Sequence, residues 1–426
     1  MKIKLFLFLI LTLPLTISAQ NINGSISSSF YTFERFDTAN ASSTYLRNFE
    51  TVSLNVNYQN FSFRTRTNFE TNIGNALDSD PRLRFYNFYL EARDVLNLFT
   101  FKLGRQPLFT PVGGGLFDGF NLKFKYANVS ISGFYGGNVP AYQKLAMTDD
   151  LKNDYVIGGK FEVFFLDHFN FGLDYINKNF KPVDYISIRE DANNDLVSTL
   201  IQQYSNQYKF LSANASYFLP GIVDVTTRYE YDLNFETTSK FEVSSRVEAT
   251  DRLGVDIYYN YREPKIAYNS IFSVFNYGNS REIEGGVDYK VCKDLSVFGK
   301  IGSVTYKDDN SSDNSSRVNI GFNTQYGSIS FRKTFGYEGE LGSISLYTAQ
   351  SFDDGFITPS AGISFTSYKL SQDAETNNLT SILAGVNVRP LRNLSFDLQG
   401  QYFDNKIYKN DFRILFKVNH WFNTNL

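Results

Sequence analysis

Few residues in this chain are equipped for covalent or metal chemistry. It has two histidines, His168 and His420, and one cysteine, Cys292, among 426 residues. A serine-histidine-acid site needs a histidine within reach of its nucleophile. His168 falls in a turn signal, and His420 lies on an apolar strand face. Neither adjoins a serine that it would activate. Cys292 also falls in a turn, and alone it makes neither a disulfide nor a structural zinc site. Asp191, Asn193 and Asp195 alternate as at the start of an oxygen-ligand calcium loop. The glycine and the closing acidic ligand of such a loop are missing, so a solvated polar loop is expected. Asp308-Asp309-Asn310 reads the same way. Gly113-Gly114-Gly115 has no helix after it and cannot cradle a phosphate. The expectation is no catalytic residue, no metal, no cofactor and no enzyme.

The chemistry that remains is charge, placed at alternate positions. An early group gives Arg64, Arg66, Arg93, Lys102, Lys123, Lys125 and Lys160, against Glu70, Glu91 and Glu162. A later group gives Asp224, Glu230, Asp232, Glu242, Glu248, Asp256, Glu282, Glu284 and Asp288, against Arg228, Arg246, Arg262 and Lys290. Charges every second residue fall on one face of a strand. If the strands close into a wall, one arc is basic and the other acidic. Opposed charges in a narrow pore set a transverse field that orients polar solutes.

The elements that would carry these charges are strands. The chain has 42 Phe and 29 Tyr but one Trp, with charged residues at 20%. Phe, Tyr, Val, Ile and Thr with Ser, Asn and Gly suit strands and turns. Net charge of −3 argues against nucleic acid as a partner. Period-2 alternation runs through most of the chain. Phe61, Phe63, Thr65, Thr67, Phe69 and Ile73 share one face, and Ser62, Arg64, Arg66, Asn68, Glu70 and Asn72 the other. Residues 120–126, 241–249 and 318–326 repeat the scheme.

Lys2 and Lys4, an apolar run of about 13 residues and Ser18-Ala19 read as a signal peptide over 1–19. No later stretch reaches the ~18 apolar residues of a membrane helix. Segments of about 10 residues with apolar faces ending in Phe or Tyr match tilted membrane strands with aromatic girdles. Tight turns, such as Gln59-Asn60, Ala127-Asn128 and Asp251-Arg252, alternate with longer connections at 36–45, 74–81, 106–118, 138–154, 179–203, 264–279, 308–315 and 371–378. The fold expected for 20–426 is a single all-β transmembrane antiparallel up-and-down β-barrel of about 22 strands (18 to 24), without a plug domain. The last strand, with Phe412, Ile414, Phe416, Val418, His420 and Phe422 on one face, resembles the terminal strand read by the outer-membrane barrel assembly machinery.

Residues 101–124 carry a further likeness. Leu103-Gly104-Arg105-Gln106, a Gly-rich loop and Phe117-Asp118-Gly119 resemble Gram-negative outer-membrane porins, and most nearly the alginate-export type. The resemblance implies a bacterial outer-membrane channel passing small polar or charged solutes, with outer-membrane lipid around it. A surface scaffold or adhesion barrel with a closed lumen, or a polysaccharide-export channel, is the alternative.

An unplugged barrel of 22 strands would leave a wide hole, since 16 to 18 already enclose an aqueous channel. Something should narrow it. Loop 106–118 carries Phe109, Val112, Leu116, Phe117 and Asp118 beside three glycines that let it bend inward. Loop 179–203 carries Leu196, Leu200 and Ile201, with Tyr204 after it, at helical spacing. Both are expected to fold inside. Strict alternation aims Arg105 outward, and a bulge at Gly104 is expected to re-aim it.

Overall fold

The computed structural model describes residues 21–425 except 39–40, 75–79, 111–113, 166–167, 182, 191–195, 204–206, 267, 269–277, 308–310, 338, 370–373 and 407–409. The expected signal peptide, Val112 and both candidate acidic loops lie outside the described residues.

The first strands are β1 (Asn21–Thr38), β2 (Ala41–Tyr58), β3 (Phe61–Ile73), β4 (Arg82–Val95), β5 (Phe99–Leu108), β6 (Gly115–Tyr126), β7 (Val129–Asn138) and β8 (Tyr155–Phe165). The next are β9 (Phe169–Asn179), β10 (Val183–Glu190), β11 (Leu196–Gln203), β12 (Gln207–Leu219), β13 (Val223–Asp232), β14 (Thr237–Thr250), β15 (Leu253–Arg262) and β16 (Asn279–Cys292). The last are β17 (Leu295–Lys307), β18 (Ser312–Thr324), β19 (Gly327–Gly336), β20 (Glu340–Ala349), β21 (Ile357–Lys369), β22 (Asn377–Leu391), β23 (Leu394–Asn405) and β24 (Asp411–Thr424).

Twenty-two of these form one antiparallel sheet, with chain neighbours paired and β9 paired to β12 across the β10–β11 hairpin. The sheet closes on itself. β1 pairs with β2 along one edge and with β24 along the other, from Ile22–Thr424 to Tyr31–Leu415. Asparagines knit both seams at the lower end. Asn21 donates to Asn423 (2.6 Å), Asn23 to Asn21 (2.5 Å) and Asn55 to Asn23 (3.0 Å).

One end of the barrel holds the termini and the tight turns, and the other holds the longer connections. Alternation separates the two faces. Ile301, Ile320, Phe331, Ile344, Phe365, Ile382 and Leu398 form part of an apolar outer belt that is open to the surroundings. A continuous exposed apolar face of this size marks a surface that is not meant for water. The polar residues between them face the lumen.

Several segments differ from the sequence reading. The 36–45 connection shrinks to two residues, because β1 and β2 run 18 residues each. Phe33 and Tyr45 stack across that extension at 5.4 Å. Segment 179–203 forms the β10–β11 hairpin rather than a helical turn. Its Ile, Val, Ser and Thr residues suit a ladder better than a helix, and Ile186, Ile188, Leu196 and Leu200 are exposed. A one-turn 3-10 element at Asp353–Gly355 supplies a turn between β20 and β21.

Lipid-facing and lumen-facing positions at the same height should respond oppositely to charge. Ile301, 67% exposed on the outer face, sits midway along β17. Ile301→Arg should cost about 2–4 kcal/mol of unfolding free energy in lipid vesicles, the range for a midplane arginine. Ser364→Arg, on a lumen-facing position midway along β21, should cost well under half of that. Equal costs in a denaturant titration would contradict the assignment of faces.

Candidate functional site in the barrel lumen

The narrowing of the lumen starts from three glycines. Gly104 has φ +121°, and a Cβ there would lie 2.4 Å from the Phe88 carbonyl oxygen. Gly119 and Gly136 face each other, and a Cβ on either would meet the opposing backbone oxygen at 2.2 and 2.4 Å. Backbones this close tolerate no side chain. The β4–β5 ladder ends at Phe88–Arg105, just past Gly104. The β5–β6 ladder runs on to Leu108–Gly115. Beyond Arg105, β4 is paired only to β3 and β5 only to β6.

The tip of the β5–β6 hairpin is buried on both faces. One face carries Gln106, Leu108 and Phe117. Leu108 and Phe117 join a packed cluster with Phe134, Val156, Ile176 and Phe210, the lumen-side residues of β7, β8, β9 and β12. Phe117 is fully buried, with its ring 5.7 Å from Phe134. The other face carries Arg105 and Asp118, which pair through two hydrogen bonds of 2.7 and 2.6 Å. This double burial places the tip inside the barrel.

Loop 139–154 covers the Arg105 face. Arg105 donates to the carbonyls of Gln143 (2.8 Å), Lys144 (2.8 Å) and Ala146 (3.1 Å), and to Phe85 (3.3 Å). The Tyr142 ring lies 4.8 Å from the Arg82 guanidinium and 5.7 Å from that of Arg84, both on the lumen side of β4. A buried guanidinium that donates to three loop carbonyls ties the loop to β5 through charge-assisted hydrogen bonds. At the loop's outer part Lys181 holds Asp149 at 2.6 Å, and that hydrogen bond keeps the Asp149 carboxyl below its usual range.

Part of loop 263–278 also turns inward. Lys265 reaches Glu230 at 2.6 Å and lies over the Phe210 ring at 5.3 Å. Glu230 is fully buried and also binds Arg228. Among the described residues, three elements therefore narrow the lumen: the β5–β6 tip, loop 139–154 and the start of loop 263–278.

The sequence reading located the inward element but not its form. Residues 106–118 are mostly strand, with the connection only at 109–114. Phe117 and Asp118 are buried as expected. Phe109, by contrast, is 82% exposed. Leu116 is half-buried on the Asp118 face. Arg105 stays on the face of Leu103, with no bulge at Gly104 to re-aim it, because the register there is unbroken, and it is buried there by loop 139–154. Beyond that point β5 parts from β4 while β6 stays paired to β7 through Phe117–Asn138, and the face of Arg105 and Asp118 meets loop 139–154. Loop 179–203 takes no part in the barrel sheet.

The basic arc is present but shared. Arg64 (3.2 Å), Arg93 (2.7 Å) and Lys102 (3.5 Å) converge on buried Glu91. Arg66, Lys123 and Lys125 are exposed. Lys160 pairs with Glu162 at 2.7 Å. Higher up, Arg47 (2.6 Å) and Arg84 (2.8 Å) converge on Glu70, with Arg82 at 3.8 Å. Sequence reasoning missed Arg47, Arg82 and Arg84, although Arg82-Leu83-Arg84-Phe85 alternates plainly.

The acidic arc is a connected belt. Arg246 binds Asp288 (2.7 Å) and Glu248 (2.8 Å) and approaches Asp256 at 3.8 Å. Lys300 binds Asp256 (2.8 Å) and approaches Glu284 at 3.9 Å. Arg317 binds Glu284 (2.8 Å) and Glu282. Three cations hold five carboxylates, so the belt carries two net negative charges. At Glu91 three cations hold one carboxylate, which leaves two net positive charges. Glu242 pairs with Lys240 at 2.5 Å, and Asp224 is exposed. Asp232 departs from its expected role. It is buried at the top of β13 and accepts the backbone N–H of Asn234 and Phe235, closing a turn rather than lining the pore. Counted around the ring of 22, the belt's carboxylates on β14, β15 and β16 stand eight to ten strands from Glu91 on β4. The two arcs face each other.

No known family profile matches this sequence, and no curated protein does. Solved structures do match. The ferric enterobactin receptor PfeA of Pseudomonas aeruginosa, in a variant form, aligns at TM-score 0.60 and 10% identity over 95% of this chain and 81% of that one. A P pilus tip assembly intermediate of E. coli, PapC-PapD-PapK-PapG, aligns at TM-score 0.51 and 10% identity over 96% of this chain and 62% of that one. OccAB1 of Acinetobacter baumannii aligns at TM-score 0.42 and 11% identity over 94% of this chain and 96% of that one. The fold is that of an outer-membrane β-barrel.

Glu91 is the sole carboxylate within ion-pair distance of Arg64, Arg93 and Lys102 among the described residues. Glu91→Gln should release their positive charge into the lumen. The reversal potential across a salt gradient should move toward anion selectivity, more at 0.1 M than at 1 M salt, where the Debye length falls from about 10 to 3 Å. No movement at low salt would show that this arc is remote from the conducting path.

Proposed function

We propose that the protein is an outer-membrane channel for passive diffusion of small polar or charged solutes, exported by the signal peptide over 1–19. The observation that carries this is the pairing of an apolar outer belt with a charged, ion-paired lumen wall in one closed barrel. A scaffold that only displays loops has no use for opposed charged arcs inside. The narrowing elements set the size of what passes, and the net charges of the two arcs orient it. The tight-turn end, with both termini, faces the periplasm in this reading, and the longer loops face outward. Outer-membrane lipid surrounds the belt, and the assembly machinery inserts the barrel through its last strand. No step of this function calls on a cofactor or a catalytic residue.

The alginate-export likeness of residues 101–124 bears on the constriction. Those residues build the inward hairpin and its Arg105–Asp118 pair. The lumen around them carries both signs of charge, which favours small solutes over a polyanion.

The test is conductance. The purified barrel in planar bilayers should give discrete steps. Replacing both members of the buried pair, Arg105→Ala with Asp118→Asn, removes the loop anchor without stranding one charge, which alone would cost about 3–5 kcal/mol. The double variant should conduct more than the parent, as loop 139–154 loses its three carbonyl bonds. A folded double variant with unchanged steps would overturn the constriction, and a parent that never conducts would overturn the channel.

A further inference from the structure

Glu91 and Glu230 are buried in the lumen wall with cations against them. Asp174, on β9, is buried there with none. It is 4% exposed, yet neither carboxylate oxygen has a hydrogen-bond partner, and no Lys or Arg nitrogen lies within ion-pair distance of it among the described residues. The unbroken β9–β12 and β12–β13 registers set Asp174 opposite Ser212, and Ser212 opposite Glu230. One step nearer the tight turns, Gly172 stands opposite Asn214. These residues share a face with Ile176 and Phe210 of the lumen cluster, while Leu173, Tyr175 and Leu211 between them are exposed on the outer belt. Ser212 is 1% exposed, and its Oγ has no partner among the described residues. Asn214 Oδ1 is buried and without a partner as well. A Cβ at Gly172 would lie 2.5 Å from that oxygen, so the Asn214 amide fills the place next to Asp174 on this face.

The nearby cations are committed elsewhere. Lys160, opposite Asp174 on β8, pairs with Glu162 at 2.7 Å. Arg228 and Lys265 both bind Glu230. The cluster therefore gathers four oxygens, two from a carboxylate, one from a hydroxyl and one from an amide, and no positive charge among them. A buried carboxylate is costly unless a cation stands against it, and buried oxygens without partners mark a place where one is supplied from outside. Hard cations take oxygen ligands. Calcium takes about six to eight of them, often from several carboxylates, and no group of three or more acidic, His or Cys side chains fit to hold a metal gathers among the described residues. One carboxylate with two neutral oxygens suits a single positive charge.

We propose that Asp174, Ser212 and Asn214 form a site for one alkali-metal cation in the lumen wall, the carboxylate supplying the charge and the hydroxyl and amide oxygens adding neutral ligands. The ion bridges β9 and β12 beside Glu230, whose partner Lys265 holds the inward part of loop 263–278. The inference is independent of the channel reading, since a barrel that never conducts would still hold the ion.

Sodium-23 NMR on the full barrel in neutral-detergent micelles reads binding without conduction. Bound sodium should broaden the resonance saturably, with a midpoint in the millimolar range. Asp174→Asn keeps the shape but removes the charge, and it should abolish the saturable broadening. Ser212→Ala removes one neutral ligand and should raise the midpoint about fivefold. Added choline chloride, too large to enter, screens diffuse attraction to the exposed charges of the lumen. It should leave the midpoint within about twofold, because the ion sits against its ligands. Parent protein without saturable broadening would overturn the proposal, and that measurement needs no variant to fold. A midpoint that climbs steeply with choline would assign the sodium to the diffuse field and overturn it too. So would a folded Asp174→Asn or Ser212→Ala variant that binds sodium like the parent.

Discussion

Hydrocarbon offers no partner to a peptide group, and this constraint governs the whole molecule. Every N–H and C=O of a spanning strand must find another strand, so the sheet cannot have an edge. β1 satisfies this by pairing on both sides, with β2 and with β24. Closure then dictates the rest. A closed sheet has an inside and an outside, and the pleat assigns alternate side chains to each. The apolar belt follows, and so does the polar lumen. Width follows from strand number, and 22 strands enclose more space than wall side chains can fill. The narrowing elements answer a problem that closure itself creates.

Inside, the problem is charge in a partly dried space. Glu70, Glu91 and Glu230 are nearly or fully buried. A carboxylate so placed is stable only with cations against it. Each has at least two. The consequence is a wall whose charges are fixed in position, and fixed charges act on a passing ion more strongly than mobile ones that a solvent shell can rearrange. The residual imbalance is small on each arc, two charges of opposite sign facing each other. It polarises the lumen without making it forbidding to either sign.

The outline of this fold was legible because its rule is local. Period-2 patterning over Phe61–Ile73 or Val318–Tyr326 needs no tertiary information, and neither does a tight turn such as Asp251-Arg252. The alternating faces gave the opposed arcs, since a face assignment carries its charges with it. What was not legible depends on contacts distant in sequence. Nothing in Glu91 announces that Arg64, Arg93 and Lys102 converge on it from three strands. Leu196, Leu200 and Ile201 fit a helix as well as a hairpin until the pairing with Tyr185 and Ile186 is known. Asp232 looked like its lumen-facing neighbours, but it stands one residue from a turn and is taken up by it. The constriction was half visible. The glycines and apolar residues of 106–118 told that the segment bends inward, and only the carbonyls of Gln143, Lys144 and Ala146 tell what holds it there.

Arg105 shows how a break in a simple rule becomes a structural device. Alternation puts it on the side of Leu103, which in a regular barrel would be lipid. A guanidinium there would be costly at midplane depth. The chain avoids the cost by moving the strand rather than the side chain. Gly104, Gly119 and Gly136 remove every Cβ from one line across three strands, where the backbones come too close for a side chain. Beyond that line β5 has parted from β4 while β6 stays paired to β7, and the face of Arg105 and Asp118 looks at the gap beside β4. That gap is polar, because Arg82, Arg84 and the Phe85 carbonyl line it. Loop 139–154 has carbonyls to bury and a tyrosine to stack, and it fills the gap. Glycine line, buried arginine and covering loop therefore belong together: a Cβ on the glycines would strike the neighbouring backbones, and removing Arg105 would take three hydrogen bonds from the loop.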